Sequence, residues 1–322
     1  MDFLKNKLRL IIVGIFLLLF IGNLVLNNYV TGKIEDQLKS VTKELPIKYD
    51  DISYSVISST LSFENLYIGE DDEWLKIESL TLKMNPDDFP TKLEIEKMDF
   101  EMDLSDSELT LENLKIVDGE EVLKLNNSSL FFNGIFSSKG KQEWELKFDN
   151  LVVDLEGLNF DSRNGKEDLS LDKLEIEFNS DNIIDLLSLV DQIEEIQDLS
   201  DMSLDINIEN YDLPRQITKE MQLGNFGIRN LTGNIFKFEI EKDDQEIDFV
   251  FQLGSDSLGS FDIETSLDFS EDIKNPNIEL ELTLENLNKD LNKMFKKSKL
   301  EESDNGFSLE FDGKLNELQT YF

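Results

Sequence analysis

Residues 109–116 read LTLENLKI and residues 282–289 read LTLENLNK, and this near-repeat constrains the chain more than any other feature. The octet alternates apolar and polar residues, then misses a beat. Leu109 and Leu111 share one phase, Leu114 and Ile116 the other. Looser copies are LSFENLYI at 61–68, LKIESLTL at 75–82, LEIEKMDF at 93–100, LKFDNLVV at 146–153, LSLDKLEI at 169–176 and FGIRNLTG at 226–233. The polar pair changes from copy to copy while the spacing persists, so the pattern specifies backbone rather than chemistry. Period-two alternation denotes strands with one apolar and one polar face, the habit of antiparallel sheets. In a flat strand the missed beat would turn the second half to the opposite face. A β-bulge, one extra residue, restores the phase, lets all four apolar side chains look the same way, and bends the strand.

Clean alternation also runs through Met98 to Leu104, Leu204 to Ile208, Ile235 to Ile240 and Ile278 to Leu284. Hairpin punctuation accompanies it: Asp118-Gly119 separates LTLENLKI from EVLKL, and IGEDDEW separates FENLYI from LKIESLTL. The expected fold is mainly β with minor α. It is a long, curved antiparallel sheet of bulged strands, partly covered by two or three amphipathic helices. Its apolar face offers a candidate groove, represented by Leu61, Phe63, Leu66, Ile68, Leu109, Leu111, Leu114, Ile116, Leu146 and Phe148.

Three segments break the strand pattern. In residues 181–199, Ile183, Leu186, Leu187, Val190, Ile193 and Ile196 follow helical spacing, with Asp181 as the N-cap. A shorter helix is expected over 214–222, with Pro214 in its first turn. A third is expected over 287–299, where Leu287, Leu291, Met294 and Phe295 share one side ahead of a KKSK run. A sheet with one apolar face has to cover it, and these stripes are its natural lids.

Residues 10–26, LIIVGIFLLLFIGNLVL, carry no charge. Leu10, Ile11, Ile12, Val13, Ile15, Phe16, Leu17, Leu18, Leu19, Phe20, Ile21, Leu24, Val25 and Leu26 make the segment a membrane anchor. At about 1.5 Å per residue it nearly crosses a hydrocarbon layer of about 30 Å. Lys5, Lys7 and Arg9 precede it, while Lys33 is soon followed by Glu35 and Asp36, which places the N-terminus in the cytoplasm. A cleaved signal peptide is the competing reading, disfavoured by the long apolar region and the missing Ala-x-Ala site. The expected organisation is a cytoplasmic tail (1–9), a transmembrane helix (10–29), a stalk helix (30–46) ending at Pro46, and a β-rich periplasmic domain (47–322). The stalk stripe of Ile34, Leu38, Val41 and Leu45 packs on the body or on a second copy.

Sixty-nine acids against 31 bases give a net charge of −38, which repels nucleic acid and anionic lipid headgroups at long range and argues against a DNA, RNA or headgroup-docking role. Cysteine and histidine are absent, which removes thiolate and imidazole metal ligands and the catalytic arrangements built on them. Asp50-Asp51, Glu70 to Glu73 and Asp243-Asp244 lack the oxygen spacing of a calcium loop, and GSDSLG at 254–259 lacks the lysine and helix of a phosphate loop. No enzymatic activity, cofactor or metal is expected. Alanine is also absent while Asn, Ile, Lys, Glu and Asp abound, a codon bias that fits an AT-rich bacterial genome.

Basic tail, single span, short helix and missed-beat strands, in that order, resemble the AsmA-like proteins of bacterial envelopes. The stretch Thr31–Ile68, with TGKIEDQL, ISYSVISSTLSF and ENLYI, is also similar to the start of the YdgA family, although ISST stands where that family has a Gly-rich turn. The resemblance covers roughly the first 120 residues. It implies an inner-membrane, periplasm-facing protein that binds or helps transfer lipid or another apolar ligand and contributes to envelope homeostasis. The alternative is a non-catalytic scaffold with a closed β core. Expected partners are the bilayer, an apolar ligand, and an envelope protein or second copy.

Overall fold

The computed structural model describes residues 47–55, 60–68, 75–83, 100–118, 121–139, 143–162, 168–185, 201–213, 219, 231–270, 272 and 275–318. Among them the chain is strand after strand: β1 (Ile47–Lys48), β2 (Asp51–Ser55), β3 (Thr60–Ile68), β4 (Leu75–Lys83), β5 (Phe100–Asp118), β6 (Glu121–Lys139), β7 (Glu143–Asp161) and β8 (Leu169–Asp185). Then come β9 (Met202–Leu213), β10 (Leu231–Asp243), β11 (Glu246–Ser255), β12 (Gly259–Asp268), β13 (Asn277–Glu285), β14 (Glu301–Glu302) and β15 (Gly306–Lys314). Helix α1 (Lys289–Phe295) separates β13 from β14, and a single helical turn, α2 (Leu315–Leu318), follows β15.

These strands form one mainly β, antiparallel, unclosed sheet running β1-β3-β4 through β13-β15-β14, with β2 beside β1 along the outer side of β3. Consecutive strands from β3 to β13 pair, several across tight hairpins: Asp118 faces Glu121 and Ile68 faces Leu75, at the two hairpins expected from sequence. Asp243 faces Glu246, and Asp244 supplies the positive φ (51°) that a two-residue hairpin needs.

The missed beat keeps one face apolar, as expected. Leu75, Ile77, Leu80 and Leu82 are all buried on β4, as are Leu109, Leu111, Leu114 and Ile116 on β5. The device differs from the bulge expected. In β5 the pairs Lys115↔Lys76 and Glu112↔Ser79 keep one register, so Asn113 lies opposite Glu78 with no residue inserted between the strands. On the other side Leu114↔Leu125 and Glu112↔Asn127 leave Asn113 opposite Asn126. From β3 to β10 each strand carries the extra residue at the same level, so none is extra relative to its neighbour within that set; at β11 the row ends, and Asn234 is extra against Ser255 and Gly254. The irregular row passes through Asn65, Glu78, Asn113, Asn126, Gly157, Asp172, Asn210 and Asn234. On alternate strands the residue is left-handed: Asn65 (φ 47°), Asn113 (53°), Gly157 (65°) and Asn210 (47°). Asparagine and glycine tolerate that region, and the asparagine amide also reaches across strands. Asn113 donates to Glu78 Oε2 (2.8 Å) and Asn210 to Asp172 Oδ2 (3.0 Å). At Gly157 a Cβ would overlap the Asn126 side chain, so this position has both a conformational and a steric reason for glycine.

True register shifts also occur, one of them where the row ends. They lie at Leu104/Ser107 on β5, Asn133/Gly134 on β6, Phe148/Asn150 on β7 and Gly233/Ile235 on β10. The copy LKFDNLVV belongs to this second set, with Asp149 beside the shift.

The helices depart from expectation in detail. Residues 181–185 are strand, not the first turn of a helix, because β8 continues far enough to pair Ile184 and Asp185 with Phe148 and Lys147 of β7. Residues 186–199 lie outside the described residues, as do all of 214–222 except the helical Lys219. Helix α1 lies inside the expected 287–299 but stops at Phe295. Residues 1–46, with the expected span and stalk, also lie outside the described residues, and no helix among those described is long and apolar enough to cross a membrane.

Candidate functional site

The register assembles single residues into rows that cross the sheet. One row runs Leu61, Leu82, Leu109, Leu130, Val153, Ile176, Ile206, Phe238, Phe251, Ile263, Leu282 and Leu309, one apolar side chain on each of twelve strands. Its exposure is uneven. Leu82 and Leu109 at one end and Leu282 and Leu309 at the other are buried, whereas the seven residues from Leu130 to Ile263 are each half-buried. At about 4.8 Å per strand those seven span roughly 29 Å. The parallel row beside it repeats the trend, with Leu155, Leu174, Ile208, Phe236 and Phe261 half-buried around a closed Leu253. Phe236 and Phe251 meet edge to face at 5.7 Å, the favoured geometry for an aromatic pair.

Residues nominated for the groove sit at one end of this surface. Phe63, Leu66, Leu109, Leu111, Leu114, Ile116 and Phe148 all belong to the first buried cluster, and Leu61, Ile68 and Leu146 lie on strands β3, β3 and β7. The half-open strip lies on β6–β12 and was legible only as alternation. A copy of the octet passed over at the sequence level, INIENYDL at 206–213, runs through it and carries the same Glu-Asn pair.

Helix α1 closes the strip at one end. Asn288 is its N-cap, accepting from Asp290 N (3.1 Å) and Leu291 N (3.0 Å), while its own amide donates to Ser257 O (3.0 Å). That fixes the helix on the β11–β12 turn, with Leu291 buried in the second core cluster and Phe295 packing on both the second and third.

A second feature is polar. Beside the starts of β9 and the end of β10 lies a hollow of about 540 Å³, lined among others by Asn133, Asp149, Asn150, Ser180, Asp201 and Lys242. Alternation in FKFEIEK puts Lys242 on the apolar face after Phe236, Phe238 and Ile240, and it is only 5% exposed. Its ammonium donates to Asp244 O (2.9 Å) and lies 3.4 Å from Asp201 Oδ1, which also accepts from Asp244 N (2.8 Å). Asp201 therefore neutralises this buried lysine and ties β9 to the β10–β11 turn. Among the described residues no cluster of acids has the arrangement of a metal site.

On the opposite face Glu177, Asp205 and Glu239 stand side by side across three strands. Burial, then a hydrogen bond shared with Glu239, raises the Asp205 pKa above its usual 3.8. A raised carboxyl pKa contributes stability that is complete below 3.8 and is lost as pH rises through the shifted value. Tyr211, packed in the second cluster with its hydroxyl donating to Gly254 O (3.0 Å), is pushed up to about 12, chiefly by burial.

No family model, no curated protein and no solved structure matches this chain.

Proposed function

We propose that the chain is a single-pass, AsmA-like protein of the bacterial inner membrane whose periplasmic sheet binds, or helps transfer, lipid or another apolar ligand. The observation that carries this reading is the row from Leu130 to Ile263, half-buried over roughly 29 Å, on a face flanked by closed core at both ends. One leaflet of hydrocarbon is about 15 Å deep, so the strip is long enough for an extended acyl chain. An acyl chain removing about 30 Å² of apolar surface at each of the seven residues would gain roughly 5 kcal/mol from the protein side alone. Association costs at least that much, so the ligand has to bury a long apolar surface of its own. Amphiphiles with acyl chains meet that demand and small polar metabolites do not. The uncharged segment 10–26 would hold the strip beside the bilayer that supplies them.

A second reading, a scaffold with a closed core, draws on the burial of Leu82, Leu109, Leu282 and Leu309 at the ends of the same row. One experiment separates the two. Native mass spectrometry of the full chain, extracted gently, is expected to show bound phospholipid. Phe238→Ser, which leaves the Phe236–Phe251 packing in place, is expected to weaken that binding, with a urea titration of the same variant checking that it still folds. A wild-type spectrum holding only the apo mass would sink the lipid reading and leave the scaffold.

A further inference from the structure

On a chain of net charge −38, five of the 31 basic residues fall between Lys289 and Lys299, with Asp290 as the single acid among them. Lys289, Lys293, Lys296, Lys297 and Lys299 are all exposed. Lysines suit the carboxyl end of a helix, where they face its partial negative charge, and that accounts for Lys293 and its followers. It does not account for Met294. This side chain is 44% exposed, one of two large apolar side chains open to solvent among the described residues, and it sits in the middle of the lysines. Leu291 and Phe295 on the same short helix pack inward, so Met294 points out while its neighbours are held.

The topology places this knob at a telling position. Ile47, where the chain joins the described fold, pairs with Ile68, and Ile68 with Leu75. Following paired strand ends across the sheet leads to Leu213 with Leu231, to the β11–β12 turn, and to Glu285 just before α1. The 46 residues that precede Ile47, including the uncharged segment 10–26, therefore reach the sheet on the rim that carries α1. The acidic hollow around Lys242 and the Asp244 turn lie on the opposite rim.

We infer that α1 and the following Lys296–Lys299 form a docking knob for an anionic phospholipid surface, with the lysines on headgroup phosphates and Met294 in the interfacial layer. At physiological salt the field of the acidic body is screened beyond about 8 Å, so contact is decided by the knob's own charges, five lysines against Asp290, with the exposed Glu285, Glu301 and Glu302 flanking them. Short basic amphipathic elements bind such surfaces by combining the two contributions. The acidic back of a second copy would satisfy the lysines but press Met294 against carboxylates; a bilayer interface satisfies both.

The absence of cysteine allows a clean test on the full chain. A fluorophore is placed at Met294→Cys, or at Asp244→Cys on the far rim, and the protein is incorporated into vesicles carrying a lipid-borne quencher. With phosphatidylglycerol present, the 294 probe is expected to be quenched strongly and the 244 probe weakly. High salt, or vesicles of phosphatidylcholine alone, should bring the two together. Each lysine is worth about a fivefold factor at an anionic surface, so Lys293→Gln, Lys296→Gln and Lys297→Gln together should weaken docking on the order of a hundredfold. Equal quenching at both sites, quenching at 294 indifferent to lipid charge, or failure of the chain to associate with anionic vesicles would each overturn the inference. So would disulfide-linked dimers of Met294→Cys formed equally well without vesicles, which would assign the knob to a second copy. The inference stands whether or not the apolar strip takes up lipid, since an apo mass spectrum with docking retained would sink only the strip.

Discussion

LTLENLKI at 109–116 and LTLENLNK at 282–289 share six residues, and both place an asparagine at φ 53° (Asn113 and Asn286), yet the chain does opposite things after it. After Asn113 the strand continues: Leu114 pairs with Leu125, and Ile116 with both Leu75 and Leu123. After Asn286 the strand is over, Asn288 caps a helix, and the chain leaves the sheet. The difference lies in the neighbours. Asn113 has Glu78 and Asn126 on either side, each on a strand that makes the same irregularity at the same level. The level of Asn286 is where β12 starts, at Gly259, and where β15 starts, at Gly306, so nothing extends beyond for a continuing strand to pair with. A left-handed asparagine is thus an instruction to turn, and the surrounding strands decide whether the turn is a kink or an exit.

The strongest way to break this comparison is a residue that refuses φ > 0. Asn113→Val is expected to cost about 2–3 kcal/mol, because backbone held by partners on both sides cannot relax. Asn286→Val should cost about 1 kcal/mol less, since the chain beyond it is free to adjust its exit. Urea midpoints of the two variants check the order; equal losses would mean that the neighbours do not hold the kink.

Gly157→Ala tests the same row where asparagine is missing. The left-handed backbone alone costs a non-glycine residue roughly 1–2 kcal/mol, and the overlap of the new Cβ with Asn126 adds to it. The expected loss is about 2 kcal/mol by denaturation, with the excess over the backbone cost recovered in part when Asn126 is shortened to Ser. A neutral Gly157→Ala would show that the row is not conformationally demanding.

At the exit, Asn288→Ala removes the acceptor of Asp290 N and Leu291 N and the donor to Ser257 O. Loss of an N-cap costs about 1 kcal/mol. Amide exchange should quicken first in α1, leaving β5 and β6 protected; uniform quickening would mean that α1 unfolds only with the whole sheet.

Much of this fold could be read from sequence because period two, one apolar face and short hairpins are local properties. What was not legible belongs to pairs of strands. A missed beat predicts that a phase is restored, but whether by an inserted residue or by a matched row depends on what the neighbour does at that level, and LSFENLYI, LKIESLTL and LTLENLKI happen to agree. The strand at 181–185 was hidden because Asp181-Asn-Ile-Ile-Asp has no alternation, and it is strand because β7 offers an edge there. Openness was hidden too. Leu109 and Ile206 occupy the same row and the same kind of pattern, yet one is core and the other half-open, a difference set by position along the sheet.

The smallest expected effect discriminates most sharply. Lys115→Asn makes the first octet read LTLENLNI, with asparagine at the seventh position as in the second, where Asn288 starts a helix. If the local sequence chose the exit, the variant would disturb β5 beyond Leu114. The register argues otherwise, because residue 115 is paired on both sides, with Lys76 and Lys124. Three lysines side by side repel one another, a penalty of a few tenths of a kcal/mol per pair that the substitution removes. Lys115→Asn is therefore expected to leave stability within about 0.5 kcal/mol of the parent, on the stabilising side, and to leave amide protection at Ile116 and Val117 unchanged. Loss of protection there would mean that the seventh residue, rather than the neighbouring strands, selects between kink and exit.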